Sequence, residues 1–211
     1  MPQHTVAVLG MVKASGVNTS LNRAEAVDML VNALQEEGQR SVMSLDQVYA
    51  RVGSERLEGI LANLSENGTF SEDGLQTLMA AGLPPRVLVT RLDDDEIEQL
   101  PPEIAPREHV RDALLNDRER VVLNTRRNVM VTAAVLDLRN GQLVWQKAYR
   151  AQPVSTSVGV HYTGSNLGTS LAAAFANVMV NGLQEPEWPS PPPLSMALQA
   201  IARKIAVAAP I

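Results

Sequence analysis

The chain contains no cysteine. That excludes disulfides, thiolate metal ligands and cysteine nucleophiles, and it leaves either redox compartment open. Aromatic residues make up only 3% of the 211 residues, so the core must be built from Val, Leu, Ile, Met and Ala. No apolar run approaches the ~20 residues that a helix needs to cross a bilayer. Positive charge is also in short supply: 18 Lys and Arg stand against 23 Asp and Glu, a net charge of −5. Nucleic acid is therefore not expected as a partner, because phosphate binding needs a concentrated basic surface. The one dense basic cluster, Arg118, Arg120, Arg126 and Arg127, is interleaved with Asp117 and Glu119 and reads as a solvated or ion-paired surface.

Chemistry-bearing patterns are equally sparse. His4, His109 and His161 fit neither H-x-x-x-H nor H-E-x-x-H, so no zinc site is expected. The acidic run "DDDE", Asp93 to Glu96, lacks the ligand spacing and distal Glu of a calcium loop. Gly10 and Gly16 follow a first apolar run, yet "GMVKASG" matches neither G-x-G-x-x-G nor G-x-x-x-x-G-K-[ST]. There is no G-x-S-x-G elbow. No catalytic residue, cofactor or metal is expected.

What is present is a succession of strand and helix patterns in a chain whose 45% apolar content suits a folded core. "TVAVLGMV", Thr5 to Val12, reads as a buried strand. Asn22 with Glu25 predicts a capping box opening a helix with Val27, Leu30, Val31 and Leu34 on one face, stopping at Gly38. A second strand is expected over Ser41 to Met43. A second capping box, Ser44 with Gln47, opens a helix through Val48 and Val52. Two more apolar stripes follow: Leu57, Ile60, Leu61 and Leu64, ending near Gly68, then Leu75, Leu78 and Met79, ending at Gly82 and Pro84. "RVLVTRLD", residues 86 to 93, predicts a strand.

Residues 94 to 127 begin with an acidic turn, carry Pro101, Pro102 and Pro106, and read as an insertion between strands with a helix from Arg107 to Asn116. The alternation of residues 128 to 151 predicts a β-hairpin. Val129, Val131, Ala133 and Val135 fall on one face, and Met130, Ala134, Leu136 and Leu138 on the other. Asn140-Gly141 is a two-residue turn signal that would set Leu138 opposite Leu143 and Leu136 opposite Trp145. After Arg150 a polar, Gly-rich stretch leads to a small-residue helix over Leu167 to Leu183. A Pro-rich linker at 184 to 193 and a last helix, Leu194 to Ala208, close the chain. The expected fold is a single α/β (α+β) domain with a mixed, largely antiparallel sheet flanked by helices. Tyr162, Phe175 and Trp188 are the candidate partner-contact residues, since aromatic anchors in small-residue or Pro-rich segments mark contacts.

The order of these pieces, with "SVMSLDQVYARVG", "AGLPPRVLVTRL" and a hairpin of the form V-x-x-x-V-x-D-x-x-x-G-x-x-V-W from Val131 to Trp145, resembles bacterial cell-envelope lipoproteins of the curli-secretion (CsgG-type) group. That group includes penicillin-binding-protein activators and polysaccharide-secretion lipoproteins. The resemblance implies a non-catalytic periplasmic component anchored at the outer membrane, which assembles or regulates an envelope or secretion machine through protein partners, with a homo-oligomer possible. The lipid-bearing cysteine of such proteins would lie ahead of this sequence. Met1 to Thr5 shows no signal-peptide pattern, which fits both a cytosolic start and a chain stripped of its export signal. The paired membrane hairpins of the channel-forming members are not legible here, so a pore is not expected. The alternative reading is a soluble α/β enzyme or small-ligand-binding protein with a site near the end of the first strand.

Overall fold

The computed structural model of the chain describes residues 6–37, 40–104, 108–112, 115–163 and 187–211, with the backbone alone described at 108–112, 115–120 and 160–163. Among these residues the fold is α/β, with five helices and a mixed, largely antiparallel sheet that does not close. The chain divides into two compact units. The first holds Met1–Glu96, Asn128–Gln152 and Pro193–Ile211, and the second Ile97–Arg127 and Pro153–Pro192.

In the first unit, β1 (Val6–Lys13) lies between β2 (Val42–Met43) and β3 (Arg86–Gln99), parallel to both. A central parallel strand is covered on both faces, which is why "VAVLGMV" is apolar without alternation. Its register slips between Val8 and Gly10, leaving Leu9 without a partner on β3. The bulge resets the side-chain alternation: Val6, Val8 and Met11 join one core cluster, and Ala7, Leu9 and Val12 the other. Gly10 takes φ 146°, and a Cβ there would sit 3.3 Å from Leu61 Cδ1. Gly10 is thus a packing glycine.

Helices α1 (Arg23–Glu36) and α5 (Leu194–Ala208) supply the first cluster. Asn22 caps α1 by accepting the Glu25 N–H at 3.3 Å. Gly38 lies outside the described residues, and Glu37 is the C-cap. On the other face α2 (Leu45–Val52) and α3 (Ser54–Asn67) pack on β1, and α4 (Glu72–Ala80) packs on α3. The capping box at Ser44 and Gln47 forms in full, α3 ends on the left-handed Gly68, and Ser71 caps α4. Leu57, Ile60, Leu61 and Leu64 are all buried, each a position where truncation to Ala costs about 2–5 kcal/mol. Met79, placed on the α4 stripe by its spacing, is instead 42% exposed. It meets the hairpin loop, where a Cβ on Gly141 would stand 3.3 Å from its sulfur.

The hairpin joins β6 (Leu115–Asp137) to β7 (Gln142–Ala151). Val129, Val131, Ala133 and Val135 are buried in the first cluster, as their alternation predicts, and α5 packs on β7. The turn is longer than the Asn-Gly signal predicts. Asp137 pairs with Gln142 and Leu136 with Leu143, while a bulge at Val144 sets Trp145 opposite Val135 rather than Leu136. Side-chain chemistry explains the loop: Asp137 Oδ1 accepts the Arg139 N–H at 3.0 Å, and Asn140 Oδ1 accepts the Gln142 N–H at 3.1 Å. Arg86 pairs with the buried Asp137 at 3.5 Å, and the Leu138 N–H donates to the Pro85 carbonyl at 2.9 Å. The loop is thereby tied to the start of β3.

In the second unit, β4 (Glu103–Ile104), β5 (Glu108–Asp112) and β8 (Val154–Thr163) each pair antiparallel with the first half of β6. This corrects two expectations. The stretch from Arg107 to Asn116 is not helical where described: β5 occupies 108–112 and pairs back on β6, with Glu108 opposite Arg118 and His109 opposite Asp117. The acidic run Asp93 to Glu96 is strand, because β3 continues to Gln99. Arg126 holds Glu98 through Nη2 at 2.6 Å, and Arg127 Nη1 donates to the Pro192 carbonyl at 3.1 Å, fixing the end of the Pro-rich segment. The helix expected at 167–183 lies outside the described residues.

Candidate functional site

Several places in the first unit bring polar or apolar groups together. The end of β1, where an α/β protein commonly binds ligands, is occupied by its own loop. Lys13 Nζ donates to the Thr19 carbonyl at 3.0 Å, the Ser65 hydroxyl donates to the Lys13 carbonyl, and the Ala14 N–H donates to the Leu92 carbonyl at 2.9 Å.

A charged cluster spans three helices. Arg23 Nη1 is 2.7 and 2.6 Å from the two carboxylate oxygens of Glu58, and the Tyr49 hydroxyl donates to Glu58 Oε1 at 2.5 Å. The hydrogen bonds from Arg23 and then Tyr49 hold the Glu58 carboxyl below its ordinary value. Burial, then the bond to Glu58, pushes the Tyr49 phenol up, and Glu58 raises Arg23. Every member has a partner, so the cluster works as a clasp joining α1, α2 and α3.

The third place is a cleft on the second face of the sheet. Gly68, Phe70 and Leu75 wall it, and its floor is Thr132 and Ala134 of β6 with Gln146 of β7. Its volume is about 230 Å³. The small floor residues explain the gap, since Thr and Ala leave space where the apolar side chains of β1 and β3 fill it. Arg91 is the charged side chain at the cleft, and its Nε donates to Asp93 Oδ1 at 2.6 Å, so the wall it forms is neutralised. Leu143 stands at the mouth with 52% of its surface exposed, and Val144 next to it is 41% exposed. The cleft can take an apolar group. The signal for it was in the sequence, in the small alternate residues Thr132 and Ala134, but which elements would face them was not.

The three aromatic residues singled out by sequence are not assembled among the described side chains. Tyr162 lies on β8 opposite Arg118, a position described by its backbone alone. Phe175 falls outside the described residues. Trp188 is half-buried in the irregular stretch before α5. Asp94 and Glu96 share a shallow polar depression with Arg150, Asn128 and Gln152. Among the described residues no group of three or more His, Asp or Glu is placed to hold a metal, and no helix is long and apolar enough to cross a membrane.

No family model and no curated protein matches the chain. Distant likenesses exist among solved structures. The LpoB C-terminal domain from Salmonella enterica is 14% identical over 72% of this chain and 84% of its own, with a TM-score of 0.38. PelC, solved as a dodecamer from Paraburkholderia phytofirmans, is 13% identical over 98% and 89%, TM-score 0.39. Lipoprotein GNA1162 from Neisseria meningitidis is 17% identical over 83% and 97%, TM-score 0.36. All of these scores are below 0.5, and the similarity is distant.

Proposed function

We propose that this chain is a non-catalytic component of a bacterial cell envelope that docks protein partners, and so assembles or regulates an envelope or secretion machine. In this reading it is periplasmic, held at the outer membrane by a lipid on a cysteine preceding this sequence. The observation that carries the docking role is the half-open second face of the sheet. Exposed Leu143 borders an apolar cleft there, and exposed apolar surface at such a cleft marks interaction sites. The strand-and-turn pattern from Val131 to Trp145 supports the envelope assignment. The segment 160–193, with Tyr162, Phe175 and Trp188, serves as a second contact in self-association. The test is to express the complete reading frame in a bacterial host with labelled palmitate and fractionate the envelope. Label in the outer-membrane fraction is expected, and an unlabelled protein in the cytosol would contradict the reading.

A further inference from the structure

Two independent features of the hairpin meet at one place. The first is an open strand edge. Among the described residues β7 pairs with β6 alone, and Gln142, Leu143, Val144, Gln146, Lys147 and Ala148 are exposed. Lys204 Nζ donates to the Arg150 carbonyl at 3.1 Å, so that carbonyl points away from β6. By the two-residue period of a strand, the backbone groups of Ala148 and Gln146 point outward as well. An edge that no strand pairs among the described residues is a template for another strand.

The second feature is the cleft. Gln146 and Ala148 lie opposite Ala134 and Thr132, so they share the cleft's face, whereas Lys147 and Tyr149 lie opposite Ala133 and Val131 on the other. A strand added to β7 would send alternate side chains to these two faces. An apolar cavity of ~150 Å³ accepts a benzene ring, and this cleft, at about 230 Å³, has room for one larger aromatic group. The charged side chains of β7 itself, Lys147 and Arg150, are both basic, which favours an acidic neighbour on the incoming strand.

We infer that β7 is a strand-addition site for an extended segment of a partner protein, which places one aromatic side chain in the cleft and an acidic residue beside Lys147. Backbone pairing supplies affinity and the cleft supplies selectivity, as in other edge-strand recognition. The inference deepens the docking role proposed above. Its failure alone leaves that role standing, since a partner can bind elsewhere on the chain and still be found in the envelope.

The probe is the peptide acetyl-Thr-Glu-Trp-Val-Thr-amide, with Trp on the cleft face and Glu on the face of Lys147, and a control in which Trp is replaced by Ala. Calorimetry is expected to show the Trp peptide binding about tenfold or more tightly than the control. Hydrogen exchange at the Gln146 and Ala148 amides should slow only with the Trp peptide. Ala134→Leu, which fills the cleft, and Ala148→Pro, which blocks the edge, should each abolish binding. Circular dichroism checks the fold, and Ala134→Leu stands alone if the proline variant does not fold. No binding of the Trp peptide, equal binding of both peptides, or full binding by Ala134→Leu would overturn the inference. So would a concentration-dependent dimer that both variants abolish, since that would make a second copy the occupant.

Discussion

Arg23 and Glu58, 35 residues apart in sequence, meet through Nη1 and both carboxylate oxygens at 2.7 and 2.6 Å, with the Tyr49 hydroxyl completing the contact. The pair links the start of α1 to α3. Both side chains are more than a third exposed, so solvent screening limits its worth, but it gives stability a definite pH dependence. Glu58 titrates below its ordinary value in the folded state. Its contribution is therefore full above the unfolded value near 4.5 and disappears as pH falls through the lower folded value. Urea midpoints of Glu58→Gln and wild type should differ most at pH 7, and the difference should shrink as pH falls below about 4.5. A difference that grows on acidification would contradict the clasp.

Two glycines should respond to alanine with opposite signs. Gly10 has φ 146° and faces Leu61, so Gly10→Ala should lose about 1–3 kcal/mol through strain. Gly59 sits inside α3 with open space where a Cβ would go, so Gly59→Ala should gain about 0.5–1 kcal/mol from helix propensity alone. Urea denaturation of the two variants decides both. Equal effects would mean that the β1 bulge is not the constraint described.

The Tyr149 hydroxyl is buried with no hydrogen-bond partner among the described residues, and burial pushes its phenol above the ordinary value. The ring still packs, 6.2 Å from Trp145 between centroids and with Lys147 Nζ 5.3 Å from its own. Tyr149→Phe keeps the ring and removes the unsatisfied group, so thermal stability should be unchanged or raised by about 1 kcal/mol. A clear loss would show that the hydroxyl has a partner.

How much of this was legible beforehand follows from where each signal resides. Caps and helical stripes are local, so Asn22, Ser44 with Gln47, Gly68 and the whole of Leu194–Ala208 could be read directly. The strands of the second unit could not. "REHVRDALLN" is rich in helix formers, and only pairing along β6 makes 108–112 a strand, which is tertiary context overriding propensity. β8 is not legible in the sequence because Ser and Gly dilute its Val and Thr, and Val154 and Val158, 48% and 58% exposed, mark no core face. The hairpin was read correctly and its register was not, because Asp137 and Asn140 extend the loop through their own side chains. The cleft is a property of which helices cover β1 and β3 and stop short of β7, and no single segment encodes that.

Self-association through the segment 160–193 has its own test. Trp188 is half-buried and lies among Pro186, Pro189 and Pro191 to Pro193, which limit the entropy lost on binding. Sedimentation of Trp188→Ala and Phe175→Ala should show a smaller oligomer than wild type, with circular dichroism confirming the fold. A wild-type protein that is monomeric at high concentration would remove the idea.

The central claim is that this protein acts by docking a partner beside β7, and photo-crosslinking in living bacterial cells tests it most directly. A photoreactive amino acid placed at Leu143, at the cleft mouth, is compared with one at Glu55, which is also exposed to solvent on α3. The account predicts discrete adducts to another envelope protein from position 143 and none from position 55, with the adducts lost in Ala134→Leu. Adducts of equal yield from both positions, or none from 143, would contradict it.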